Sequence, residues 1–129
     1  MPKQIINPAT MAAPSGYSYA VKKSGTPLFI SGQVGIGADG RIAGDGGVEA
    51  QTEQAFQNLR TVVEAAGGSL ADIVKLTIFV TDPAFRPAVV GARQRHFASG
   101  AYPASTYLVV SALAVPQRLV EVEAVAMID

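Results

Sequence analysis

The stretch Ile73-Val74-Lys75-Leu76-Thr77-Ile78-Phe79-Val80-Thr81 decides the fold. Val74, Leu76, Ile78 and Val80 alternate with Lys75, Thr77, Phe79 and Thr81, the period of two that marks a β-strand. Helical patterns flank it on both sides. Upstream, Ala55, Phe56, Leu59, Val62, Val63 and Ala66 recur at spacings of three and four within Val48 to Ala66, an amphipathic helix that Gly67-Gly68 would end. Downstream, Asp82-Pro83 reads as a cap followed by proline in the first helical turn. It opens a helix from about Ala84 to Ala98, with Phe85, Val89, Ala92 and Phe97 inward and Gly100 closing it. A strand held between two helices returns to its sheet by crossovers.

Further out, Tyr17 to Lys23 and Leu28 to Ser31 read as short strands joined by the turn residues Ser24-Gly25-Thr26-Pro27, a hairpin. Seven glycines between Gly32 and Gly47 predict repeated turns with exposed backbone. Thr106 to Leu113 and Leu119 to Ile128 complete the pattern as two strands joined around Pro116, expected side by side. The order ββαβαββ implies an α+β domain spanning residues 1–129, a mixed sheet with both helices on one face. The other face would carry Phe79 with either Tyr107 and Val109 or Leu108 and Val110. A face that apolar is expected to pack on a copy of itself.

Composition narrows the function classes. Hydrophobic residues make up 49% and charged ones 16%, which places the chain among globular domains with little charge to solvate a monomer. Ten basic and ten acidic residues give zero formal charge without clustering, so the electrostatic footprint of a nucleic-acid binder is missing. There is no cysteine for a disulfide, a thiol nucleophile or a thiolate ligand. Met1 to Ala13 lacks the basic and apolar regions of a signal peptide, and no apolar run is long enough to cross a bilayer. A cytoplasmic location without membrane contact is the expectation.

Gly35, Gly37 and Gly40 have GxGxxG spacing, but the helix starts only after further glycines, so a turn-forming role is expected rather than a phosphate cradle. The single histidine, His96, has no partner set nearby for a metal. Glu121 and Glu123 alternate with Val120, Val122 and Ala124, which puts two carboxylates on one strand face about 7 Å apart. They read as an acid or base, or as a solvated strand face. Tyr17 and Tyr107 offer aromatic hydroxyls that orient a ligand or sit buried in strands.

Taken in order, several blocks resemble the Rid (RidA/YjgF) family along nearly the whole chain. They are Gly16 to Val21, Leu28 to Gln33, Gln54 to Leu59, Ala66 to Leu70, Ile73 to Asp82, Tyr102-Pro103-Ala104 and Val120 to Ala124. The resemblance implies a chorismate-mutase-like ββαβαββ fold, a homotrimer and a small-molecule pocket at each subunit interface. It further implies hydrolysis of 2-imino acids to 2-keto acids and ammonia with no metal or organic cofactor. In active members an arginine after Pro-Ala holds the substrate carboxylate, and a glutamate on the last strand positions the attacking water. By that resemblance Tyr17 and Glu121 match the pocket tyrosine and the catalytic glutamate, and Gly32 matches the position whose backbone faces the ligand. The arginine is replaced by Ser105, and Tyr107 is bulkier than the usual residue; both are expected to contact substrate. Arg93, Arg95, Arg118 and Lys75, of the same or a neighbouring chain, are the candidate replacement cations.

Two functions follow from this reading. One is a hydrolytic deaminase of reactive imines or enamines with altered substrate. The other is a non-catalytic metabolite-binding or regulatory trimer. A ribonuclease role, attached by name to some family members, conflicts with the neutral charge and the lone histidine.

Overall fold

In the computed structural model, which describes residues 2–129, the strand at Ile73–Val80 (β4) sits inside a four-stranded sheet. The chain enters through β1 (Gln4–Ile6) and β2 (Ala20–Lys22), then runs β3 (Thr26–Val34), α1 (Val48–Ala65), β4, α2 (Arg86–His96), β5 (Ala104–Val109) and β6 (Val120–Ile128). Short 3-10 turns at Leu70–Asp72 and Pro83–Phe85 lead into β4 and α2. The main sheet has the order β3-β6-β4-β5: β4 runs parallel to β5 and antiparallel to β6, which is antiparallel to β3. Helix α1 packs on β3, β6 and α2, which gives the expected α+β arrangement with a mixed sheet.

Two expected pairings are not found. Ala20–Lys22 pairs with β1, a strand the sequence pattern did not reveal, and no hairpin joins it to β3. A nine-residue β3 gains far more ladder from β6, matched from Thr26↔Ile128 to Val34↔Glu121, than a three-residue β2 can offer. Nor do β5 and β6 lie side by side. The crossover through α2 occupies one edge of β4 with β5, and β6 takes the other edge between β4 and β3.

Over β4 and β6 the helix-facing side of the sheet is closed to solvent. Phe56, Leu59 and Val63 of α1 and Val89 and Ala92 of α2 meet Leu76, Ile78 and Val80 of β4 and Val120, Val122, Ala124 and Ala126 of β6. A register irregularity between Ile73 and Lys75 turns Ile73 inward where simple alternation predicts Val74. Val62 and Ala66, expected inward, are exposed at the end of α1. There Gly67, at φ +86°, donates to Glu64 O and Gly68 donates to Val63 O, the paired bonds that close a helix on a left-handed residue. Asp82 Oδ1 accepts from Ala84 N at 2.8 Å, so the expected cap forms, but on a 3-10 turn that delays α2 to Arg86.

The parallel register settles the ambiguous strand. Tyr107 pairs with Ile78 on the helix side, and Leu108 pairs with Phe79 on the open side. With Phe29, 78% exposed, and Leu108, 41% exposed, that open face is apolar.

The glycine loop is pinned to α1 by Gln51, which is fully buried. Its Nε2 donates to Gly46 O and Gln117 O, and its Oε1 accepts from Leu119 N. Backbone approach is so close that a Cβ on Gly35 would overlap the Gln51 Cα and stand 2.7 Å from its carbonyl oxygen. Gly35→Ala should therefore lower the unfolding free energy by about 1–3 kcal/mol in urea titration. Gly37→Ala, which would meet only the Asp39 carboxylate at 3.2 Å, should cost less than about 1 kcal/mol.

Candidate functional site

The five residues singled out in the sequence fall into two groups on opposite faces of the sheet. Glu121 and Gly32 form the first. Burial of Val120 and Val122 forces Glu121 and Glu123 to the open face, since successive strand residues point to opposite sides. Glu121 lies opposite Phe79 on β4 and Val34 on β3, and the β3–β6 ladder shifts register between Ile30 and Gln33. Gly32 sits in that irregularity against the glutamate: a Cβ there would stand 2.7 Å from Glu121 Cδ and 2.8 Å from Cγ. Glu121 is partly buried, whereas Glu123, opposite Thr77, is exposed. One face thus holds two carboxylates in different surroundings.

Ser105, Tyr107 and Tyr17 form the second group. Ser105 pairs with Leu76 and so points to the helix side, where α2 brings Arg93 against it. Arg93 Nη1 donates to Ser105 Oγ at 3.1 Å, and its guanidinium lies 5.7 Å from the centroid of the Tyr17 ring. Arg86, at the start of α2, stands 5.5 Å from the Tyr107 centroid. Tyr17 is held here by its neighbour: Ser18 N donates to Pro103 O at 3.1 Å and Ser18 Oγ to Tyr102 O at 2.6 Å, alongside β5. Arg93 is only 4% exposed. Its Nε and the Tyr107 hydroxyl are buried without a hydrogen-bond partner. Burial, aided by the charge of Arg86, holds the Arg93 guanidinium below its ordinary pKa. Burial pushes the Tyr107 phenol up, against the opposing pull of Arg86 and Arg93.

Of the four cations considered in the sequence, Arg93 alone touches Ser105. Arg95 lies on the surface 3.6 Å from Glu53, Lys75 donates to Thr106 on the open face, and Arg118 lines a separate cavity of about 290 Å³ with Ile36, Ile42 and Val115. The signal for Arg93 was present. It falls four residues after Val89 on the inward stripe of α2, where a charged side chain is out of place. His96 is structural: its ring stacks on Phe56 at 5.1 Å and Nε2 lies 3.0 Å from Glu53 Oε2. The GxGxxG segment is a turn, with Gly37 N bonded to Arg41 O and Gly40 at φ +77°. Among the described residues no group of three or more His, Cys, Asp or Glu could hold a metal ion, and no helix is long and apolar enough to cross a membrane.

The model of the endoribonuclease L-PSP family matches residues 8–128. The chain belongs to the Rid family. It is 33% identical over 129 residues, 99% of this chain and 98% of the other, to a 2-iminobutanoate/2-iminopropanoate deaminase of Dermatophagoides farinae. Among solved structures it resembles YyfB of Yersinia pestis, a Rid protein of unknown function, with TM-score 0.91 and 37% identity over 99% of this chain and 100% of that one. RidA from an Antarctic Psychrobacter is similar at TM-score 0.75 and 35% identity, over 91% and 92% of the two chains.

Within this Rid fold the Gly32–Glu121 contact is made with the movable end of a side chain. Gly32→Ala should therefore displace the Glu121 carboxylate rather than the core, leaving urea stability within about 1 kcal/mol of the parent while a crystal structure of the variant shows the glutamate swung away.

Proposed function

We propose that this Rid protein is a homotrimer whose intersubunit pockets hydrolyse a reactive imine or enamine to a carbonyl compound and ammonia. The reading is carried by Glu121, a carboxylate pressed against the Gly32 backbone on an open sheet face. Likeness to a named imine deaminase over 99% of the chain adds support. Because Ser105, Tyr107 and Tyr17 lie on the other face, one chain cannot close a pocket around all five residues, whereas edge-to-edge copies can bring one subunit's Glu121 toward a neighbour's Ser105. The apolar open face, with Phe29 and Leu108, is the surface that copies would cover.

In the reaction the water oxygen adds to the imine carbon as the C=N π electrons move to nitrogen, which takes a proton. The resulting carbinolamine passes its hydroxyl proton to that nitrogen, and the C–N bond breaks as the carbonyl forms, releasing ammonia. Glu121 is suited to accept the proton of the incoming water and return it to the departing nitrogen, a role worth about 10²–10⁴-fold in rate. Glu123 is two residues away and exposed, so it serves as the internal control. The second reading, a binding trimer without turnover, is favoured by Ser105, a neutral hydroxyl already engaged by Arg93.

Two measurements test the proposal. Light scattering at micromolar concentration should give three times the chain mass, and a monomer would refute the assembly. Ammonia release from freshly generated imines should fall at least about 100-fold in Glu121→Gln and stay near the parent rate in Glu123→Gln. No release from the parent protein would leave the binding reading in place.

A further inference from the structure

Arg93 is an anomaly of the fold. An arginine that is 4% exposed ordinarily turns its guanidinium to a carboxylate, because desolvation of an unpaired charge is costly. Here its one side-chain bond is to the neutral hydroxyl of Ser105, and Nε has no acceptor. Among the described residues no carboxylate ion pair reaches it or Arg86, the ion pairs being those of Lys23, Arg95 and His96. The two arginines are seven residues apart on α2, two helical turns, so they project from one side about 10 Å apart along the axis. Each stands over a tyrosine, Arg93 over Tyr17 and Arg86 over Tyr107, whose hydroxyl is also unpartnered.

Two positive charges, an unpartnered Nε–H and an unpartnered phenol thus converge beside Ser105, with no carboxylate among the described residues paired to either arginine. Planar, bidentate donors of this kind match carboxylate oxygens. We propose that Arg93 anchors a carboxylate at this site and that Arg86 supplies a second charge, so that the pocket favours 2-oxo and 2-imino acids carrying a second carboxylate. The inference rests on the proposed function only in taking the Ser105 side as the ligand-facing side. Ser105 is then a positioning residue that fixes Nη1 and leaves the remaining donors of the guanidinium for the ligand.

The experiment is calorimetric titration of the full-length protein with 2-oxoglutarate and 2-oxobutyrate, the unreactive ketone counterparts, with thermal melting of every variant. The parent should bind 2-oxoglutarate at least ten-fold more tightly than 2-oxobutyrate. Arg93→Met should lose at least ten-fold for both while its melting temperature holds or rises, since a buried charge kept for a ligand is not a stabilising group. Arg86→Met should lose the preference for the dicarboxylate alone. Undiminished binding by Arg93→Met, or no binding of either acid by the parent, would overturn the anchor, and equal affinities in the parent would overturn the role of Arg86. Should Arg93→Met fail to fold, the Nε–H resonance of Arg93 in the parent decides: it should shift as 2-oxoglutarate is added, and a static signal refutes the contact. Ammonia release separates the two proposals. Dicarboxylate binding through Arg93 with no turnover of any imine removes the deaminase alone, and turnover indifferent to Arg93→Met removes the anchor alone.

Discussion

Strand β6 runs antiparallel to both neighbours, with Val120, Val122, Ala124 and Ala126 buried beneath α1 and β4 and β3 bonded on either side. A buried valine contributes roughly 1.5–3 kcal/mol. Slipping this strand by one residue would expose that whole row and drive Glu121 and Glu123 into the apolar interior, where an unpaired carboxylate is far costlier still. The register is therefore locked from both faces. The direction of Glu121 and its position opposite Phe79 are consequences of this burial, and its contact with Gly32 adds the register shift of β3 between Ile30 and Gln33.

A second constraint works through polar groups. Gln51 is fully buried on α1 and satisfies its amide with the carbonyls of Gly46 and Gln117 and the N–H of Leu119. One side chain thereby ties the start of α1 to both the glycine loop and the approach to β6. Removing it would strand several backbone groups in the interior, each costing about 1–3 kcal/mol. The absence of a side chain at Gly35 lets α1 come near enough for these bonds to form. Asn58 extends the same seam, donating to Val34 O and Ile36 O at 3.0 and 2.9 Å at the end of the strand that carries Gly32.

The helix side and the open side of the sheet are chemically unlike. Behind β5 stand two guanidiniums and two tyrosines, while the open face offers carboxylates among Phe29, Phe79 and Leu108. A charged group retained in the interior without a partner lowers stability, and such costs recur where a protein must meet something outside itself. Under the proposed assembly a ligand carboxylate held at Arg93 would lie between the positive side of one chain and the open face of the next.

Periodicity and turn chemistry were enough to place β4, both helices, the end of α1 at Gly67 and the outward turn of Glu121 and Glu123, because each depends on residues within one or two turns of itself. Strand neighbours depend on long-range pairing that local pattern does not encode: β1 was too short to show, β2 went to β1, and β6 entered between β3 and β4 rather than beside β5. The same holds for the two-faced β5, where only the parallel register Ile78↔Tyr107 chose the side of each residue. Arg93 stood in view as one of four cations, yet its meaning required α2 to cross behind Ser105. Sequence alone determined which residue types were available and which local elements they form. Tertiary structure decided which of them meet, because a contact between α2 and β5 is fixed by the packing of the whole core and not by the segments that make it.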